Sequence, residues 1–155
     1  MLVSDYILDE VAVQFGNTVI APGHTFHRDL LVTREDIAKF AGLCEDFNPL
    51  HHDEDYARTT RFGSIIAAGP HIMSLFTSMV ATHFSEITPM VGVDFSFSFL
   101  SAIRAGDTLR MHWTVSALTP SEKMKGTLAH LEGEVRHGKG VAIKGMGLVL
   151  LMDKL

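Results

Sequence analysis

Between Asp46 and His51 the chain reads Asp46-Phe47-Asn48-Pro49-Leu50-His51, placing a carboxylate, a carboxamide and an imidazole within six residues. Pro49 keeps this segment from being an ordinary helix. With ordinary pKa values of about 3.9 for Asp and about 6.5 for His, Asp46 and His51 set a base beside a proton donor near neutral pH. Asp46 is suited to draw a proton from water, and His51 to hold that water or return a proton. Asp, Asn and Pro also form turns for local reasons, so the three polar residues alone leave a plain polar loop open.

A second feature follows at Gly69-Pro70. Proline at a helix start is pre-organised for the helix, and the first N–H groups there have no acceptor within it. Gly69 lets a ligand approach the backbone closely. Pro70 has no N–H, so a carbonyl oxygen bound here relies on the Gly69 N–H or on donors from His71 onward, and Gly69 is the better candidate. Ser74 lies one turn inside the same helix, reads first as a serine bonding back to its own helix, and lacks the Gly-x-Ser-x-Gly context of a nucleophile. His51, His52 and Asp53 are consecutive, and consecutive side chains of an extended segment point opposite ways, so no metal site is expected. His24, His83, His112 and His130 are scattered singly.

These residues need elements to hold them. Residues 1–15 have mixed character and fit either a short helix or an arm. Thr25 to Val32 is rich enough in β-branched and aromatic residues for a strand. Thr33 with Asp36 makes a capping-box-like start, and Ile37, Phe40, Ala41 and Cys44 follow at the spacing of one buried helical face. That helix should end near Glu45, delivering Asp46 at its C-terminus. Asp53-Glu54-Asp55 suits the first turn of a short second helix. From Pro70, the stripe Ile72, Leu75, Phe76, Met79 and Val80 predicts a third helix, uncharged from 70 to 82 and expected to be buried on most sides.

The period then switches to two. Val91, Val93, Phe95, Phe97 and Phe99 alternate with small or polar residues. Leu109, Met111, Trp113 and Val115 do the same after an Ala105-Gly106-Asp107 turn, and Ala129, Leu131 and Val135 after a Pro120-Ser121 turn. A fourth run, Val141 to Met152 after Gly138-Lys139-Gly140, is apolar on both faces and should lie centrally. The sum is an α+β domain: helices first, then an antiparallel meander with one helix buried against it.

Length and composition fit this. The 155 residues suit one domain spanning 1–155, and 46% hydrophobic with 20% charged residues is ordinary for a globular chain. A net charge of −5 gives no footprint for nucleic acid or an anionic membrane. The single cysteine, Cys44, cannot form an internal disulfide, which favours a reducing, cytoplasmic setting. The N-terminus does not read as a secretory signal, and no run of 18 apolar residues could span a membrane.

Asp46-Phe47-Asn48-Pro49-Leu50-His51, together with Asp53-Glu54-Asp55-Tyr56-Ala57, Phe62-Gly63 and Ile66-Ala67-Ala68-Gly69, resembles the hydratase motif of the MaoC-like, (R)-specific enoyl-CoA hydratases. The likeness runs from about Thr33 to the C-terminus. It implies the hot-dog fold, a long central helix wrapped by a curved antiparallel sheet, in a homodimer joined edge to edge. It implies catalytic Asp46 and His51, an assisting Asn48, a thioester-oxygen site at the Gly69 N–H, and a substrate-binding serine at Ser74. No cofactor is implied, CoA being the carrier of the substrate. Where relatives commonly have His-Gly, this chain has Ala68-Gly69, followed by Pro70-His71 in place of the usual apolar pair; the backbone donor is retained, and His71 is expected to line the acyl pocket. The activity implied is reversible hydration of a trans-2-enoyl-CoA to an (R)-3-hydroxyacyl-CoA. A hot-dog thioesterase and a non-catalytic acyl-CoA-binding module are the alternatives.

Overall fold

A computed structural model describes residues 11–138 and 140–153. Of the N-terminal segment left between helix and arm, residues 1–10 lie outside the described residues, and Val13–Phe15 is a strand, β1, paired antiparallel with β2, Thr18–Ile20. β3 is Thr25–Leu31, as its composition suggests. Helix α1, Arg34–Leu43, begins at Thr33, whose hydroxyl accepts from the Asp36 N–H, and buries Ile37 and Ala41. Cys44, expected on that buried face, is instead exposed, because the helix has already ended and Cys44 is its cap. A short 3-10 turn, Pro49–His51, precedes α2, Glu54–Thr59, which Asp53 caps. Arg34 pairs with Glu54 and so ties the starts of α1 and α2 together.

The long helix α3, Gly69–Ser85, packs on a five-stranded antiparallel sheet in the order β3-β5-β6-β7-β4, where β4 is Met90–Phe99, β5 Thr108–Ser121, β6 Gly126–His137 and β7 Gly140–Leu151. This is the hot-dog arrangement of a central helix against a curved antiparallel sheet. It departs from the simple meander in two ways. β4 pairs with β7 rather than with the next strand in sequence, and β3 enters the sheet beside β5. The fourth apolar run, β7, does lie inside the sheet, between β6 and β4. Pro120 and Ser121, read as a turn, are the last residues of β5. The reversal falls just after them, where Lys125 takes a φ of 55°.

The core sits where α3 crosses the sheet. The inward alternation of β5 is complete: Leu109, Met111, Trp113 and Val115 are all fully buried. Phe76 of α3 stacks on Trp113 with ring centroids 4.1 Å apart, and the indole N–H donates to the Phe76 carbonyl at 2.9 Å. Gly133 and Gly145 make this approach possible. A Cβ on Gly133 would lie 2.4 Å from the Trp113 ring and 2.7 Å from Phe76, and one on Gly145 would meet the same two rings.

Two sequence expectations fail at the periphery. On β4 Met90, Phe95 and Phe97 pack against the core, while Val91, Val93 and Phe99 are exposed. A register shift between Gly92 and Asp94 interrupts the strand's alternation, and β4 is an edge. α3 buries one face, with Ile72, Phe76, Met79, Val80 and Phe84, but leaves Ser74, Ser78 and Ala81 exposed rather than burying most sides.

Candidate active site

Asp46 owes its position to the way α1 stops. The Asp46 N–H donates to the Ala41 carbonyl at 2.8 Å and the Glu45 N–H to Gly42 at 3.2 Å, the paired bonds of a Schellman ending. The residue that must turn left-handed for this is usually glycine, but here it is Glu45, with a φ of 56°. The chain then folds onto itself. The Asn48 N–H donates to Asp46 Oδ1 at 3.1 Å, and the Leu50 N–H to Asn48 Oδ1 at 3.1 Å. One Asp46 oxygen is thereby committed to holding the loop. The other, Oδ2, lies 3.5 Å from His51 Nε2.

His51 is buried, not merely part of a polar loop. Its Nδ1 sits 2.7 Å from the Ile66 carbonyl, and since a carbonyl only accepts, Nδ1 carries the proton. In the neutral ring Nε2 is then a bare acceptor directed at Asp46 Oδ2. The loop and the residue behind it are fastened twice, because the Ile66 N–H also donates to the Leu50 carbonyl at 3.1 Å. Ile66 is in turn held to the segment before β5 by an antiparallel bridge to Arg104, flanked by a bond from the Ala67 N–H to the Ile103 carbonyl at 2.8 Å. His52 turns elsewhere, to the Asp46 carbonyl at 2.7 Å.

Three residues past Ile66, Gly69 opens α3, with Ala68 as its cap and no side chain bonding there. As the first helical residue, its N–H has no acceptor inside the helix. Gly69 is half-buried and lines a pocket of about 500 Å³ with Phe62, Ala68, Phe99 and Ile103 among its walls.

Ser74 lies on the exposed face of α3, its hydroxyl donating to the Pro70 carbonyl at 2.7 Å, in a separate recess against Met90, Gly92 and Phe95 of β4. His71 lines a third pocket, stacked on Phe40 with centroids 4.8 Å apart, and burial pushes its imidazole below the ordinary value. The fold thus brings Asp46, Asn48 and His51 together and links them through Ile66 to the start of α3. The Ile66 carbonyl is the functional group that sequence reasoning missed. It is a backbone atom, placed by the bridge to Arg104 and by the bond from its own N–H to Leu50.

The arrangement suits proton transfer to and from a water. The Asp46 carboxylate and His51 Nε2 are both acceptors, so a water seated beside the pair can donate one hydrogen to each and turn an oxygen lone pair outward.

Comparison with known proteins bears on the family and the fold. A family model described as MaoC like domain matches residues 15–135. An (R)-specific enoyl-CoA hydratase of Rhodospirillum rubrum is 36% identical over 92 residues, covering 59% of this chain and 63% of that protein. An (R)-specific enoyl-CoA hydratase of Aeromonas caviae is 29% identical over 116 residues, covering 75% of this chain and 84% of that one. The solved structure of an (R)-hydratase from A. caviae involved in PHA biosynthesis superposes with a TM-score of 0.76 at 28% identity, over 85% of this chain and 97% of that chain.

Proposed function

The chain belongs to the MaoC-like domain family, homologous to its hydratases and dehydratases, and from that premise we propose that it reversibly hydrates a trans-2-enoyl-CoA to the (R)-3-hydroxyacyl-CoA. One observation carries the reading: Asp46 Oδ2 and His51 Nε2 face each other across 3.5 Å, with Nδ1 tied to the Ile66 carbonyl. The water held by these two acceptors adds its oxygen to C3 of the enoyl group and gives up one proton to the pair. C2 takes up a proton, so the elements of one water are added across the double bond. Negative charge that develops on the thioester oxygen is received by the Gly69 N–H, a fixed donor of the kind whose loss costs roughly 2.7–4 kcal/mol in other enzymes. Asn48 acts on the reaction by positioning, since it holds the loop through its side-chain oxygen and backbone N–H.

The second part of the proposal is a homodimer joined through β4. Of the two edges of the sheet, β3 exposes His27, Arg28 and Asp29, charged and polar groups that discourage further pairing. β4 exposes Val91, Val93 and Phe99, beside the uncovered serine face of α3. An apolar open edge next to an apolar-to-small helix face is the surface a second copy would cover.

Crotonyl-CoA tests the activity. Loss of the enoyl absorbance without release of free thiol is the expected result, and thiol release in its place would make the protein a thioesterase. Sedimentation at micromolar concentration tests the dimer.

A further inference from the structure

We propose that the pocket lined by His71 accepts an acyl chain bearing an uncharged oxygen, a hydroxyl or keto group, to which His71 donates a hydrogen bond. This deepens the hydratase reading and rests on it.

The pocket holds about 340 Å³ and is walled by Leu30, Val32, Phe40, Leu43 and Leu75, with His71 set among them. That volume falls within the roughly 300–1,000 Å³ of small-molecule sites. Two of its wall residues are close in sequence to the candidate site. Leu43 is the last residue of α1, three before Asp46, and His71 is two residues beyond Gly69. His51 is close enough to His71 to disfavour a proton there, after the larger effect of burial. The far end of the proposed acyl chain sits here when its thioester meets the N–H of Gly69, which lines the neighbouring pocket of about 500 Å³.

His71 is a costly residue to place in such a wall. It is only 6% exposed, and its Nδ1 is sealed from solvent with no hydrogen-bond partner among the described residues. A neutral imidazole must carry its proton on one nitrogen. Orphaned N–H groups are rarer in protein interiors than under-satisfied acceptors, so the proton resides on Nε2 and Nδ1 is left bare. Nε2–H is then the donor available to an occupant. Burial holds the ring neutral, so it offers a dipole and not a charge.

The charged neighbours argue against a carboxylate as the occupant's polar group. Lys39 Nζ is paired with Glu35 at 2.6 Å, and Asp36 accepts from the Thr33 hydroxyl at 2.6 Å. A carboxylate on the occupant would meet the Asp36 charge in the same wall, and the exposed Lys39, already sharing its charge with Glu35, offsets little of that repulsion. A hydroxyl or ketone meets only the His71 N–H.

The test compares an eight-carbon enoyl-CoA with the same chain bearing a keto group near its far end, in the wild type, His71→Leu and His71→Gln. Hydration is one readout. Binding of the matching saturated acyl-CoA compounds, which cannot turn over, is the other. A site built to bond a substrate oxygen discriminates against its absence, and the wild type should favour the keto chain about tenfold or more in kcat/KM and in Kd. His71→Leu should abolish or reverse that ratio, and His71→Gln, which keeps an N–H, should restore part of it. Equal treatment of the two chains by the wild type, or a preference that survives in His71→Leu, overturns the proposal. If no enoyl-CoA is hydrated but the keto chain still binds more tightly through His71, the hydratase reading falls and this pocket assignment stands. If no acyl-CoA binds, both fall.

Discussion

Replacing Asp46 with asparagine separates chemistry from folding better than any change to His51. The carboxamide introduced by Asp46→Asn keeps an Oδ1 to accept the Asn48 N–H, so the loop bond of 3.1 Å has a ready substitute. Asp46 follows the C-terminus of α1, where a negative charge is disfavoured by roughly 0.3–1 kcal/mol, so neutralising it offsets the weakening of that bond. The net change in stability should stay within about 1 kcal/mol, or a melting shift of about 2–4 °C at this chain length. The rate should respond very differently. The carboxamide has no basic oxygen for the water, and its N–H₂ would donate directly to the bare His51 Nε2, 3.5 Å from Oδ2 in the wild type, taking up the acceptor that the water uses in the proposed mechanism. Loss of a general base costs about 10²–10⁴-fold, or roughly 2.7–5.4 kcal/mol in the barrier. Purified Asp46→Asn should therefore melt normally and hydrate crotonyl-CoA at least about a hundredfold more slowly. A folded variant retaining a tenth or more of wild-type turnover would refute the role of Asp46. His51→Ala is the poorer probe, because it opens a cavity and strips the Ile66 carbonyl of its partner, at roughly 1–3 kcal/mol for the unsatisfied group alone.

The remaining predictions test neighbouring features. Glu45→Gly relieves a left-handed residue at a cost of some unfolded-state entropy, and thermal denaturation should show a net gain of roughly 0.5–1 kcal/mol. Gly133→Ala forces a Cβ to within 2.4 Å of Trp113 and should lose about 1–3 kcal/mol or more in denaturant titration, while Gly138→Ala, with nothing within 4 Å, should be close to neutral. Gly69→Val should lower kcat for hydration by crowding the backbone donor; the fold should survive, since the ring nearest a Cβ there, Phe99 at 3.0 Å, is exposed and can shift. Burial depresses His71 and His83 below the usual histidine range. Above about pH 6.5 both are neutral folded and unfolded and contribute no pH dependence. Below it the unfolded chain takes up protons that the folded rings refuse, so stability should fall with pH there, and His71→Phe should flatten part of the slope.

How much of this was legible in the sequence depends on the range of the interaction involved. Thr33 as a cap, the α1 face at Ile37 and Ala41, and the alternation of β5 are set by neighbours within a few residues or by burial of one whole face, and each was readable. Cys44 escapes the pattern because the helical period says which face a residue would occupy but not where a left-handed Glu45 ends the helix. The exposed β4 residues Val91, Val93 and Phe99 repeat the pattern of a buried strand with no core opposite them; a single chain's alternation cannot distinguish a surface packed on its own helix from one left open at an edge.

The candidate site divides in the same way. Asp46, Asn48 and His51 are recognisable because their chemistry lies in their side chains and their spacing is local. What makes His51 useful is not local. Its tautomer is fixed by the Ile66 carbonyl, and that carbonyl stands where it does because Ile66 bridges to Arg104, nearly forty residues further along the chain. No residue type at 66 could announce this, since every residue carries a carbonyl. The same reasoning separates Gly69 from His71. A backbone donor at a proline-marked helix start can be anticipated from two letters, whereas the orphaned Nδ1 of His71 follows from burial in the fold, where Phe40 of α1 stacks on the ring. The proposed reacting groups were therefore open to inspection in the sequence, and the selectivity proposed for the His71 pocket had to wait for the fold.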